Sequence, residues 1–282
     1  MHVFEKIEDV RKFRWLDGAK SWGLVPTMGF LHEGHLSLVR RARKENDRIA
    51  VSIFVNPKQF NDEEDLIRYP RNVERDLRLL KKESVDLVWT PPSSIVYPPS
   101  FQTDVVVKEI TRKLEGAARP GHFKGVATVV AKLFNVFQPN RAYFGRKDAQ
   151  QVAVVRRMVK DLNFNIEIIE CPTKRENDGL AMSSRNANLS PEGRRQAVCL
   201  FLALKKAKQT IDSGIMEAKY VKNEMKKIIA SYPAARIDYV SVADLETLEE
   251  IDEINRDVLI SGAIFIEGVR LIDNIKIRRS DD

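Results

Sequence analysis

Through about residue 175 the chain alternates two kinds of apolar pattern. Near-continuous β-branched runs, clearest in Arg48 to Val55 (RIAVSIFV), predict buried strands. Stretches whose apolar residues return every three or four positions predict helices. Gly34 to Asn46 is one, with Leu36, Val39 and Ala42 along its stripe. Gly125 to Gln138 is another, carrying Val126, Val129, Val130, Leu133, Phe134 and Phe137, and Pro139-Asn140 stops it. Strands are expected at Ser21 to Thr27, Arg48 to Val55, Val85 to Thr90, Arg141 to Gly145 and Phe164 to Cys171. Further helices are expected at Arg71 to Glu83 and Asp148 to Leu162, while Pro91 to Ser100 (PPSSIVYPPS) reads as loop. Repeated strand–helix–strand units predict an α/β fold with a doubly wound, mostly parallel sheet, whose ligands sit at the carboxyl ends of the strands.

After about Asn186 the pattern changes. Two helices, roughly Pro191 to Ser213 and Met216 to Ser231, precede strands near Arg236 to Val242, Val258 to Glu267 and Arg270 to Asp273. The expected organisation is therefore residues 1–186 as one domain and 187–282 as a smaller α+β unit. A length of 282 residues accommodates two domains comfortably.

Charge adds a direction. The net +7 is uneven: residues 1–186 hold 32 Lys+Arg against 24 Asp+Glu, and residues 187–282 hold 15 against 16. The positive excess lies in the part that carries the candidate motifs and suits an anionic ligand. A nucleic-acid partner is disfavoured, because no dense basic run or repeated aromatic platform accompanies it. No apolar run approaches a membrane span, and the charged start MHVFEKIEDVRKF lacks a signal core, so a cytoplasmic location is expected. Cys171 and Cys199 show no metal or redox spacing and read as packing residues.

Four segments carry chemistry. PTMGFLHEGH (26–35) places His32 and His35 three residues apart between a strand and a helix, where Gly29 and Gly34 allow tight backbone and a helix N-terminus favours an anion. Imidazoles there can donate to phosphate oxygens. A zinc protease would need one more residue between the histidines, and a P-loop would need Lys and Ser/Thr where His35 and Leu36 stand. FVNPKQF (54–60) brings Asn56 and Gln59 to a strand end, although Asn-Pro is also a common loop opener. In GRKDAQQ (145–151) Lys147 can neutralise phosphate, Asp148 can accept from ribose or simply cap a helix, and Gln151 can face a substrate one turn later. RENDGLAMSSRN (175–186) clusters Ser183, Ser184 and Arg185, a combination suited to a polyphosphate on a closing element or to a capped turn in a linker.

In this order, and with YPRNVERD, RPGHFKGVATVVAKLFNVFQPNRAYF, RIDYVSVAD and RLIDN, these segments resemble the pantoate–β-alanine ligase family. The His-x-Gly-His turn and the MSSR segment are similar to the two signatures of the nucleotidyltransferase superfamily. The resemblance implies a Rossmann-like N-terminal domain and a lid-like C-terminal one. It also implies ATP-dependent activation of pantoate as pantoyl adenylate, followed by attack of β-alanine to give pantothenate and AMP. It assigns His32, His35, Lys147, Ser183, Ser184 and Arg185 to the phosphates, with Met28 approaching through its backbone. Gly145, Asp148, Lys174 and Met182 fall to the nucleoside side, Lys174 replacing a usually aliphatic residue at the adenine edge. Gln59, Gln151 and Asn56 fall to pantoate, Asp76 to Mg²⁺ on the phosphates, and Glu115 and Arg119 to a loop bordering the substrates. A homodimer is implied as well.

The chemistry agrees with the resemblance independently: a carboxylate acylates poorly until AMP makes its oxygen a leaving group, and joining two anions needs positive charge and alignment. No Ser or Cys stands with a base as a nucleophile. Two alternatives are another small-molecule adenylyltransferase of the superfamily and a nucleotide-responsive RNA-binding module without catalysis.

Overall fold

In the computed structural model, which describes residues 1–16 and 18–279, six parallel strands form the main sheet. They are His2–Phe4 (β1), Trp22–Thr27 (β2), Arg48–Ile53 (β3), Leu87–Trp89 (β4), Arg141–Gly145 (β5) and Glu167–Cys171 (β6), in the order β1-β4-β3-β2-β5-β6. The chain runs outward from β2 through β3 and β4, then returns to start β5 on the other side. The switch point is therefore between β2 and β5, where ligands of such sheets bind.

Side-chain alternation along β2 explains why both faces are covered. Trp22 and Leu24 join one core with Val126, Val130, Leu133, Phe134 and Phe137 of the helix His122–Phe137. Val25 joins the opposite core with Leu36, Val39 and Ala42 of the helix Glu33–Glu45. The stripes expected for these two helices are thus the buried ones. The edge strand β1 and the helix Ile7–Leu16 were not foreseen. The strand is only three residues long, and the helix buries only Val10 completely, so neither writes a strong period.

The second sheet is antiparallel: Ala235–Asp244 (β7), Val258–Ile266 (β8) and Val269–Ile277 (β9), ordered β7-β8-β9. Glu267 and Gly268, both with positive φ, make the two-residue turn between β8 and β9. Helices Cys199–Asp212 and Ala218–Ala230 pack on one face of it. The single helix expected over Pro191 to Ser213 is two, Pro191–Gln196 and Cys199–Asp212, although Ala197 and Val198 between them keep right-handed helical angles. Strand β9 extends beyond the expected Asp273 because its second half, Asn274 to Ile277, alternates polar and apolar residues against β8. Both cysteines are buried free thiols. No helix among the described residues is long and apolar enough to cross a membrane.

One close approach ties the first core to the loop after β3. A Cβ added at Gly125 would lie 2.2 Å from the Lys58 carbonyl oxygen, so the helix can sit against that loop only as glycine. Gly125→Ala should therefore lower the melting temperature by roughly 3–10 °C, from an overpacking cost of about 1–3 kcal/mol. A melt superimposable on wild type would show that the loop and helix do not touch this closely.

Candidate active site

Strands β2 and β5 pair only at Gly23–Arg141 and Leu24–Ala142, whereas β2 and β3 pair over six positions. The carboxyl ends of β2 and β5 consequently separate, and a cavity of about 290 Å³ opens there, roofed by residues of β8 and β9. Met28, His32, His35, Asn56, Gln59, Glu115, Arg119, Gly145, Lys147, Asp148, Gln151, Lys174, Met182, Ser183, Ser184 and Arg185 all lie on its wall. The structure thus brings together every site residue expected from the sequence except Asp76.

The two histidines form a reciprocal cap on the helix Glu33–Glu45. His32 is the N-cap residue and its Nδ1 accepts from the Gly34 N–H at 3.1 Å; His35 Nδ1 accepts from the His32 N–H at 3.3 Å. Both Nδ1 atoms are therefore unprotonated acceptors, which leaves the proton of each neutral ring on Nε2 as a donor. Burial, reinforced by the Lys147 charge, lowers the His32 pKa to about 4. Burial, and then the neighbouring His32, hold His35 well below the usual value. Glycine at 34 is required because a Cβ would stand 2.7 Å from the His32 ring. The site offers two neutral donors where a cation pair was conceivable.

Asp76 stands apart from the other expected site residues. Its side chain is wholly buried, lies off the cavity wall, and accepts from the Phe30 N–H at 2.7 Å and the Leu31 N–H at 2.8 Å. Burial raises its pKa, and the two amide donors oppose that rise. The carboxylate is spent on holding the loop before His32, in which Gly29 and Phe30 both have positive φ. It is a backbone clamp: each oxygen accepts one amide N–H, and the side chain lies off the cavity wall. Among the described residues, no three His, Cys, Asp or Glu side chains converge as a metal cage.

On the β5 side, Asp148 occupies the N-cap position of the helix Ala149–Asp161 but makes no side-chain capping bond, so its carboxylate is not used up as a plain cap. A Cβ at Gly145 would meet nothing within 4 Å; packing does not require glycine there, whereas a ligand lying close to the backbone would. Gln150, next to the cavity-facing Gln151, is a structural residue: its amide donates to the Ile110 and Lys113 carbonyls and accepts from the Glu115 N–H.

The 175–186 segment is an irregular hairpin closed by an Arg175–Ala181 bridge. Met182 N–H donates to the Lys174 carbonyl at 3.0 Å. Ser184 Oγ donates to the Phe30 carbonyl at 3.2 Å, fastening the hairpin to the histidine loop. Arg185 pairs with Asp65 at 2.8 Å and lies over the rings of Phe60 and Tyr69. Among the described residues, Thr173 Oγ1, Asn186 Oδ1 and Asn274 Oδ1 are buried without a hydrogen-bond partner, and all three residues line the cavity. A polar ligand would satisfy them.

Arg119 is a further cation on the wall. It donates to the Gln59 carbonyl at 3.2 Å and lies 3.3 Å from His122 Nε2, and burial first, then the Arg185 charge, lowers its pKa to about 10. Among the described residues no carboxylate pairs with it. Glu115 is otherwise engaged, bidentate to Arg270 at 2.6 and 2.9 Å. Against the upward push of burial, that contact keeps the Glu115 carboxyl below its ordinary range.

Sequence reasoning did not assign roles to Tyr69, His122, Tyr239, Arg270 or Asn274, all on the wall. All five stand in segments that carry the family resemblance, Tyr69 in YPRNVERD, His122 in RPGHFKG, Tyr239 in RIDYVSVAD and Arg270 and Asn274 in RLIDN, but the last three lie on β7 and β9, whose approach to the cavity leaves no local pattern. Asn274 Nδ2 donates to the carbonyls of Arg146 (3.1 Å) and Lys147 (2.8 Å), so the second sheet grips the turn that presents Lys147.

The family model described as pantoate-beta-alanine ligase matches residues 2–276. The pantothenate synthetase of Thermotoga petrophila is 53% identical over 276 residues, 97% of this chain and 99% of its own. That of Thermosipho africanus is 54% identical over 279 residues, 98% of this chain and all of its own. The crystal structure of pantothenate synthetase from Thermus thermophilus has a TM-score of 0.94 at 44% identity, covering 99% of this chain and 100% of that one. A Francisella tularensis pantoate-beta-alanine ligase, complexed with beta-gamma ATP and beta-alanine, has a TM-score of 0.82 at 35% identity, covering 98% of this chain and 97% of that one.

Two outcomes follow from this geometry. The unfolded chain takes up protons below pH 6.5 on His32 and His122, whose folded pKa values are lowered to about 4, so their contribution to stability is present above 6.5 and is lost as pH falls towards 4. The melting temperature should fall across that window, while kcat/KM for the nucleotide shows no histidine limb near 6.5; such a limb would mean that the histidines act as cations. Asp76→Asn sets an amide NH₂ against a backbone N–H and should cost about 1–3 kcal/mol of stability. The Mg²⁺ concentration for half-maximal rate should not change, and a shift in it would return Asp76 to the metal.

Proposed function

The chain belongs to the pantoate–β-alanine ligase family, and from that premise we propose that it joins pantoate to β-alanine in two steps within this cavity. In the first, a pantoate carboxylate oxygen attacks the α-phosphorus of ATP and pyrophosphate leaves. In the second, the β-alanine amine attacks the acyl carbon of pantoyl adenylate and AMP leaves with the bonding electrons. The observation that carries this reading is the histidine pair: two neutral Nε2–H donors at a helix N-terminus, on the same wall as Lys147 and the Ser183–Arg185 cluster. Negative charge builds on phosphate oxygens in the first step, and fixed donors beside a lysine stabilise it without solvent reorganisation.

The remaining roles follow from what each group has left to offer. Lys147 neutralises charge at the reacting phosphate, Ser183 and Ser184 donate to the phosphates, and Arg185 exchanges Asp65 for them. Asp148, free of capping duty, takes ribose hydroxyls; Gly145, with Lys174 and Met182 opposite, admits the nucleoside. Gln59 and Gln151 hold pantoate, with Asn56 nearby, and the Met28 backbone approaches the phosphates. Arg119, a buried guanidinium lacking a carboxylate partner among the described residues, suits the carboxylate of β-alanine. Mg²⁺ supplies charge neutralisation on the polyphosphate. The wall fits a cation held mainly by phosphates and water, because its carboxylates are separate rather than caged, and Asp65, Glu115 and Asp273 are already paired with arginines. Residues 1–186 are read as the nucleotide and pantoate domain and 187–282 as its lid. A cytoplasmic homodimer is the expected form of the enzyme, and its mass in solution tests the dimer.

AMP release that requires both pantoate and β-alanine is the direct test. Pyrophosphate exchange indifferent to pantoate would point to another adenylyltransferase, and salt-sensitive RNA binding without AMP release to a binding module. Lys147→Ala should cut pantoate-dependent pyrophosphate release by roughly 10²–10³, the scale of one lost transition-state donor. A near-wild-type rate would remove Lys147 from the chemistry.

A further inference from the structure

Tyr97 lies in the proline-bracketed stretch that follows β4 and is not part of the cavity wall, yet its hydroxyl begins a hydrogen-bonded chain that ends there. The Tyr97 hydroxyl is 2.8 Å from Asn56 Oδ1. Asn56 Nδ2 is 3.1 Å from the Gly125 carbonyl and 2.9 Å from Gln59 Oε1. Gln59 Nε2 is 3.1 Å from Met28 Sδ, on the wall.

The direction of this chain is fixed by one atom. The Gly125 carbonyl can only accept, so the Asn56 group facing it must be the NH₂. The Asn56 oxygen therefore faces Tyr97, whose hydroxyl must donate. The second Asn56 N–H then requires an acceptor in Gln59, which turns the Gln59 oxygen inward. What Gln59 has left for the cavity is its NH₂ group, against a thioether that accepts only weakly. Asn56 is 1% exposed, so water is not available to replace a missing partner on its oxygen. Burial also raises the Tyr97 pKa, which keeps the donor proton in place.

We propose that Tyr97 is a positioning residue for the acid substrate: the Gly125 carbonyl sets which way the Asn56 amide faces, and Tyr97, by satisfying the buried Asn56 oxygen, holds Asn56 and through it Gln59 in place, so that Gln59 presents its NH₂ group to the cavity. A donor-only amide accepts a carboxylate or an electron-rich hydroxyl oxygen and disfavours a group that must itself donate, such as an ammonium. At the pantoate position it thereby disfavours the ammonium end of the amine substrate, whose own carboxylate is left to Arg119. The inference rests on the reading that Gln59 holds pantoate.

Tyr97→Phe removes the hydroxyl and keeps the ring, which packs against Phe54 and Phe101 and lies under Lys58 and Lys132. KM for pantoate, and its dissociation constant by calorimetry, should rise roughly 3- to 10-fold, the scale of one net hydrogen bond. KM for ATP and for β-alanine should hold, with kcat within about twofold. In a Gln59→Ala background the same change should leave calorimetric pantoate affinity unaltered, because the route through Gln59 is already cut. An unchanged pantoate constant in Tyr97→Phe overturns the inference. So does a common rise of all three KM values with a lowered melting temperature, or an equal loss in the Gln59→Ala background. A wild-type protein that makes no pantothenate overturns the reading of function itself, and this inference with it.

Discussion

Strand β2 is paired with β3 along its whole length but with β5 through two residue pairs only. Parallel strands twist relative to one another, and once their hydrogen bonding lapses at a switch point their carboxyl ends diverge. Nothing else about the cavity is possible without that divergence. It lets the loop after β2 turn upward through Gly29 and Phe30, brings the turn after β5 opposite it, and leaves between them a space that neither core fills. The helix starting at Glu33 then points its N-terminus at this space, so the anion-favouring end of the dipole faces it.

A second constraint is polarity. Buried groups near the cavity are held by partners that can play only one role, and this decides what each shows to a ligand. Backbone N–H groups occupy Nδ1 of both histidines and so set both rings as Nε2 donors. The Gln59 carbonyl, an acceptor, requires His122 to donate from Nδ1 at 2.7 Å, which leaves His122 Nε2 as the acceptor for Arg119. Amides of Phe30 and Leu31 consume the Asp76 carboxylate. Removing any such partner leaves a buried polar atom unsatisfied, a larger cost than the net value of the bond when both sides are present. The preorganisation resides in backbone atoms, which cannot change role.

The second sheet completes the site by simple alternation. Along β9 the odd positions Val269, Leu271, Ile275 and Ile277 belong to or pack against its own core. The even positions Arg270, Asn274 and Lys276 reach across to Glu115, to the Arg146 and Lys147 carbonyls, and to Glu170. One strand thus carries both the adhesion of its own unit and its grip on the parallel-sheet unit. Because Asn274 holds the backbone at Lys147, the position of that lysine depends on the second sheet as well as on β5. Asp273, at an odd position, pairs with Arg175 and ties down the hairpin that carries Ser183 to Arg185.

The sequence by itself determined the elements with a strong period and the residues that stand at their ends. The β-branched run of β3 and the stripes of the helices from Glu33 and His122 are local signals, written over enough residues to be read. His32, His35, Gln59, Lys147 and Arg185 are legible because each lies within a few residues of a strand's carboxyl end or in a short polar cluster. Weak periods hid β1 and the helix Ile7–Leu16. Only the tertiary structure decided what depends on distant partners. Asp76 falls to Mg²⁺ only by resemblance, and the fold adds that Phe30 and Leu31, more than forty residues earlier, each donate an amide to it. Tyr97 is an ordinary loop tyrosine until the Gly125 carbonyl fixes the amide it addresses. The reason is the same in both cases: a side chain's chemistry is set by which lone pairs and protons remain after its neighbours have taken theirs, and those neighbours are chosen by the fold.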